Sequence, residues 1–152
     1  QEDCFVAQLE LALRFGRPVS IHCRKAWAAF LSVLKRFGRL PAGGIVHSYS
    51  GPPELIPELI GYNLSFSFSG SITRQGNKRG KKSLAAVPLE RLLIETDSPD
   101  MPPEGVTGGS ELAHLHLVAE SIASFFCRPV DQIARVTSEN AGRIFAPMEG
   151  TV

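Results

Sequence analysis

Apolar positions along this chain recur with two periods, and the two take turns. Phe5, Leu9, Ala12 and Leu13 fall at helical spacing and are stopped by Gly16. The run "RPVSIHC" comes next, apolar at Val19 and Ile21 and too short for a helix, so it predicts a strand. "KAWAAFLSVLKRFG" returns to helical spacing through Trp27, Phe30, Leu31 and Leu34, and Gly38 ends it. "AGGIVHSYSG" predicts a second short strand, closed by Gly51 and the pair Pro52-Pro53. "ELIPELIG" predicts a helix in which Pro57 marks a kink or the first turn. "YNLSFSFSG" alternates Leu64, Phe66 and Phe68 with serines, the mark of a third strand. A basic loop "TRQGNKRGKK", a short helix around Ser83 to Val87 and a fourth strand, "ERLLIETD", complete the series. Beyond the Pro/Gly-rich stretch 98–109, a long helix is expected from about Ser110 to Phe126. A shorter one follows from about Val130, and a last one from about Ser138 to Phe145.

Strands that are short apolar runs, polar only at their C-terminal ends and separated by helices, predict a parallel sheet covered by helices. The fold class is therefore α/β, and such folds put their chemistry at the carboxyl ends of the strands. Those ends carry His22, His47, the "FSG" of the third strand, and Asp97. No internal repeat, low-complexity tract or linker divides the chain, so residues 1–152 are expected to form a single domain.

Each candidate has a plain structural reading beside its chemical one. His22 and His47, taken singly, suit strand-end histidines bonded to backbone. Taken together, at the ends of neighbouring parallel strands, they suit a shared metal or anion site, since neutral imidazole binds transition metals well. Asp97 is either a turn cap before Ser98-Pro99 or a carboxylate that ligates a cation and takes a proton from water. Glu95, two residues earlier, shares a face with Asp97 if the strand is regular, and a buried glutamate needs a partner, so it is expected to brace the ligands from behind. Arg24 offers a planar fork for phosphate or carboxylate, or a surface ion pair. Arg74, Lys78, Arg79, Lys81 and Lys82 follow the third strand, where they would guide a polyanion such as DNA or simply form a solvated loop. His114 and His116 are assigned to surface and helix packing.

Composition narrows this little. With 152 residues, 43% of them hydrophobic, the chain can build a sizeable core. A net charge of +1, from 16 basic and 15 acidic residues, shows no global basic excess, so nucleic acid would have to meet a local patch. Cys4, Cys23 and Cys127 are widely spaced and include no CxxC, which suits free thiols in a reducing compartment. No apolar run approaches a membrane span and the start lacks a charged-then-apolar leader, so a soluble cytoplasmic protein without membrane contact is expected. Gln1 already lies inside the first amphipathic helix, which raises the expectation of sequence upstream.

The motifs "PVSIHCR", "IVHSYSG", "FSFSG", "LLIETDSP" and "VTSENAGRIF" occur in the order seen in the TatD family of metal-dependent hydrolases, which the chain resembles from about Phe5 to Phe145. The resemblance implies a TIM-barrel, amidohydrolase-like fold with two divalent metals (Mg, Mn or Zn) and, in several members, deoxyribonuclease activity. It implies that His22 and His47 ligate one metal, and that Asp97 ligates the other and activates water. Glu111 resembles the Glu of the family's Asn-Glu-Pro, although Ser110 and Leu112 flank it here. The family's HxH pair on its first strand and its bridging Glu have no counterpart in this sequence. A (β/α)₈ barrel takes about 250 residues, so the chain matches the last four βα units of one. Three functions compete: a DNA phosphodiesterase, a hydrolase of small esters or amides on the same scaffold, and an inactive half-barrel that binds or assembles. The half-barrel would associate with itself or with an upstream half.

Overall fold

The computed structural model describes residues 1–146; residues 147–152, the end of the single-domain reading, lie outside the described residues. Four strands, β1 (Val19–His22), β2 (Gly44–His47), β3 (Leu64–Phe68) and β4 (Leu92–Ile94), form one sheet in chain order. All three pairings are parallel. Among the described residues, six α-helices connect and flank them: α1 (Glu2–Phe15), α2 (Trp27–Phe37), α3 (Ile56–Gly61), α4 (Lys78–Ala86), α5 (Leu115–Phe125) and α6 (Val130–Phe145). The parallel α/β expectation holds.

Register explains the core. Ile21, Val46, Phe66 and Leu92 lie in one row across the sheet, and all four are buried under the helices. The opposite row alternates with it. It carries Ser20, Ile45 and Ser65, then His22 and His47, so the histidines project from the face that the helices leave free. Gly44 is needed where β1 meets β2, because a Cβ there would lie 2.3 Å from the Val19 carbonyl oxygen. Strands β1 and β4 are paired on one side only among the described residues.

Helix α1 ends as expected, with Gly16 in the left-handed region at φ 58°. Its Leu9 is buried and Phe5 packs on Phe30 of α2, while Leu11, Leu13 and Phe15 are exposed. Pro57 occupies the first turn of α3, where a missing N–H costs nothing.

Three helix boundaries differ from expectation. The basic "loop" is mostly helix: α4 starts at Lys78, with the Asn77 side chain accepting from Gly80 N–H at 2.9 Å. Burial of Gly80, Ser83 and Leu84 on one side of α4 overrides the loop-like composition. The helix expected from Ser110 begins as a 3₁₀ turn (Leu112–His114) before α5. The two C-terminal helices are one, α6, because Thr137 and Ser138 carry no helix break; Thr137 Oγ1 instead donates to the Ile133 carbonyl within the helix.

Candidate metal centre

Strand β4 stops at Ile94, earlier than "ERLLIETD" predicts. Glu95 keeps one more sheet bond, its N–H donating to Phe68 O at 3.0 Å, and the chain then turns away through Asp97 at φ 54°. The regular strand that would put Glu95 and Asp97 on one face is therefore absent. Both carboxylates reach His47 all the same, on opposite sides of its ring. His47 Nδ1 lies 2.9 Å from Glu95 Oε2, and His47 Nε2 lies 3.1 Å from Asp97 Oδ1. Glu95 contacts Nδ1 of the imidazole and Asp97 the other nitrogen.

The turn holding Asp97 is clasped from a distance in sequence. Ser110 Oγ donates to Thr96 O at 2.9 Å, Ser98 Oγ to Ser110 O at 2.7 Å, and Ser110 N–H to Pro99 O at 2.8 Å. Ser110 is buried and stands where the family resemblance expects Asn. Gly70 lets the same loop cross the end of β3, since a Cβ there would sit 2.1 Å from Met101 O.

His22 is the register partner of His47, with ring centroids 5.6 Å apart, and is exposed on the edge strand. Cys23 beside it turns inward, and burial pushes its thiol above the ordinary value, against a smaller opposing pull from the Ala26 backbone. It is no ready thiolate ligand. Ser67 is legible in the sequence only as part of "FSFSG", yet its hydroxyl donates to Glu95 Oε2 and accepts from Ser48 N–H at 3.2 Å. Ser48 itself is at φ 44°, directly after His47, and its hydroxyl lies 3.0 Å from that of Ser69. Glu95 Oε1 is buried with no hydrogen-bond partner.

Of the candidate phosphate ligands, Arg24 and Lys78 are exposed and Arg74 is exposed at the end of the turn after β3. None of the three has a carboxylate within ion-pair distance among the described residues. Arg74 lines a groove of about 790 Å³ between Ser71–Asn77 and Met101–Val106. His114 and Glu111 form a reciprocal cap at the 3₁₀ turn, and His116 Nδ1 lies 2.6 Å from Ala113 O. These three are local structure.

The donors suit a divalent cation but fill only part of a coordination sphere. Two donors bound at about 2.0–2.2 Å, at roughly tetrahedral or octahedral angles, lie about 2.8–3.6 Å apart, and His47 Nε2 and Asp97 Oδ1 are 3.1 Å apart. Among the described residues, however, no three His, Cys, Asp or Glu groups converge closely enough to hold an ion by themselves.

Four parallel strands with helices between them, and imidazoles and carboxylates gathered at their C-terminal ends, put the chain with β/α proteins of the TIM-barrel type. The chain belongs to the TatD related DNase family, whose profile matches residues 1–146. It is 36% identical over 146 residues to the uncharacterised metal-dependent hydrolase YabD of Bacillus subtilis, covering 95% of this chain and 57% of YabD. It is 33% identical to the 3'-5' ssDNA/RNA exonuclease TatD of Edwardsiella piscicida, covering 95% and 58% respectively. The crystal structure of YjjV, a TatD homologue from Escherichia coli, superposes with a TM-score of 0.82 at 31% identity, over 92% of this chain and 54% of that one. The chain spans about half the length of the curated relatives it matches.

Proposed function

We propose that this chain, residues 1–152, supplies the second half of a β/α barrel that hydrolyses phosphodiesters of DNA with divalent cations. His22, His47 and Asp97 hold the cations, two in the complete site and drawn from Mg²⁺, Mn²⁺ or Zn²⁺. Bound there, they supply Lewis acidity and a water of lowered pKa. The observation that carries the reading is the 3.1 Å approach of His47 Nε2 and Asp97 Oδ1, two acceptors that need a cation or a proton between them. Asp97 takes the proton of the attacking water. Glu95 holds the His47 ring from its other nitrogen. Arg24, Arg74 and Lys78, unpaired on the rim, hold phosphate, and the remaining cations of α4 extend the path for a strand of DNA. The exonuclease name of the Edwardsiella relative supports nucleic acid over small esters.

The free edges of β1 and β4 support closure against another half-barrel, upstream or a second copy. An apolar groove of about 630 Å³ along β1, lined by Leu11, Phe15, Val19 and Ile21, supports the same closure. Three unpaired cysteines, two of them exposed, support a cytoplasmic location. No helix among the described residues is long and apolar enough to cross a membrane.

The test has two arms. Titration of the 152-residue chain with Mn²⁺ and Zn²⁺ is expected to show a site lost in His47→Ala and in Asp97→Ala. With the barrel completed, labelled DNA is expected to shorten from its ends only when a divalent cation is present. Binding unchanged in both variants, or intact DNA ends with cation bound, sinks the reading.

A further inference from the structure

We propose that Glu104 is a positioning residue of the substrate rim. It ties the loop that leaves the Asp97 turn to the turn that carries Arg74, and so fixes the base of the Arg74 side chain for phosphate. The inference rests on the phosphate reading of Arg74 above and extends it to the group that holds Arg74 in place.

Both chain neighbours of Arg74 are bonded to this one residue. Glu104 N–H donates to Thr73 Oγ1 at 2.7 Å, and Gln75 N–H donates to Glu104 Oε2 at 2.8 Å. Thr73 Oγ1 in turn donates to Gly70 O at 2.8 Å, so the clasp reaches back toward the end of β3. On the other side Asn77 closes the turn: its N–H donates to Arg74 O at 3.1 Å and its Nδ2 to Ser71 O at 2.9 Å. Arg74 thus stands on a backbone held from before and behind, while its own side chain is exposed. Glu104 and Arg74 face one groove of about 790 Å³, and the clasp joins the two walls of that groove. The glutamate nevertheless gives Oε2 to a backbone amide and lies beyond ion-pair distance of the guanidinium. Pro103, next to Glu104, is buried, which seats the loop from its other side.

Charge alone argues against an acid in this place. A carboxylate beside a path for DNA repels phosphate, so by charge its removal strengthens binding. Positioning predicts the opposite sign. An arginine on an untethered turn has more freedom to lose when it meets phosphate, so loosening the turn weakens binding. Glutamine separates the two effects, because its carbonyl oxygen still accepts the Gln75 N–H while its charge is gone.

The experiment measures single-stranded DNA binding by the 152-residue chain across a range of salt concentrations. It compares wild type, Arg74→Gln, Glu104→Ala, Glu104→Gln and the double variant Arg74→Gln with Glu104→Ala. Glu104 is exposed, so neither substitution opens the core. Glu104→Ala is expected to weaken binding about 3-fold or more at low salt and to flatten the log–log salt slope by up to about 0.7, the value of one phosphate contact. Glu104→Gln is expected to bind at least as tightly as wild type. With Arg74 already changed, Glu104→Ala is expected to cost nothing further. Amide exchange at Gln75 is expected to quicken about 10-fold in Glu104→Ala and to stay near wild type in Glu104→Gln. Tighter binding by Glu104→Ala overturns the proposal, as do an equal loss in Glu104→Gln, a further loss in the double variant, or unchanged Gln75 exchange in Glu104→Ala. If Arg74→Gln binds as wild type does, the phosphate reading of Arg74 fails and the positioning role falls with it. If Arg74→Gln is weakened and Glu104→Ala is not, the positioning role alone falls.

Discussion

The two ends of the sheet use polar side chains in opposite ways. At the N-terminal ends of the strands, Asn140 of α6 donates to the carbonyls of Leu89 and Leu92, each at 2.7 Å. Asn63 donates to Leu40 O at 3.0 Å, Arg91 donates to Asn63 Oδ1 at 3.1 Å, and Arg143 reaches Glu90 O at 3.1 Å. Each such contact adds a side-chain donor to an acceptor, and two of these acceptors, Leu40 O and Leu89 O, also take a backbone N–H. At the C-terminal ends, two carboxylates converge on one imidazole, Asp97 at His47 Nε2 and Glu95 at Nδ1, and Glu95 Oε1 is buried without a partner. Residues after three of the strands, Lys25, Ser48 and Asp97, sit at positive φ without being glycine. Left-handed backbone occurs at both ends, since Asn63 before β3 is at φ 69°, so the contrast lies in the side-chain partners.

This contrast can be broken most sharply at His47. His47→Ala is expected to weaken cation binding by more than the roughly 100-fold that losing an outer partner costs, with calorimetry as the measure and little change in urea unfolding. At the other end the pattern should invert. Asn140→Ala takes a donor from two carbonyls, of which Leu89 O keeps the Leu92 N–H, and is expected to cost about 1–3 kcal/mol in urea unfolding, while the refolded protein binds cation as before. A loss of cation affinity equal to that of His47→Ala would mean that the two ends are not separable.

A smaller effect is expected on the rim. With Arg74 and Lys78 both changed to Gln, the salt dependence of single-stranded DNA binding should flatten by about 1.4 in log–log slope, roughly 0.7 per phosphate contact. Hydrolysis of a small phosphodiester should be unaffected, and equal losses on both substrates would move the two residues off the DNA path. The smallest effect belongs to the core behind the rim. Burial, aided by Cys23 and Glu54, pushes the Tyr49 phenol above its ordinary value. The folded state holds that proton more tightly than the unfolded chain, so the contribution is complete below about pH 10 and is lost as pH rises above it. Thermal unfolding of Tyr49→Phe is expected to lose that part of the alkaline slope.

Much of this arrangement is legible in the residues themselves. The alternation of short apolar runs with helical stretches is a local property, since burial on both faces of a parallel strand needs only neighbours of the right period. His22, His47 and Asp97 stand out because polar groups at the ends of such runs have no packing reason to be there. The helix start at Lys78 was hidden because five basic residues look solvated, and only burial of Ser83 and Leu84 makes a helix there worthwhile. The early end of β4 was hidden too, because "ETD" has nothing in its own composition to bend it.

What the sequence alone determined is the order of elements, the parallel sheet they must form, and the strand ends that would carry imidazole and carboxylate. Only the tertiary structure decided how those groups meet. Glu95 and Asp97 take the two sides of His47 from 48 and 50 residues away, and the clasp at Ser110 turns Asp97 into place. Ser67, an ordinary strand serine by its pattern, becomes the donor behind Glu95. Periodicity is written in near neighbours along the chain, whereas a hydrogen bond between strands depends on register, and register is settled only when the whole sheet packs.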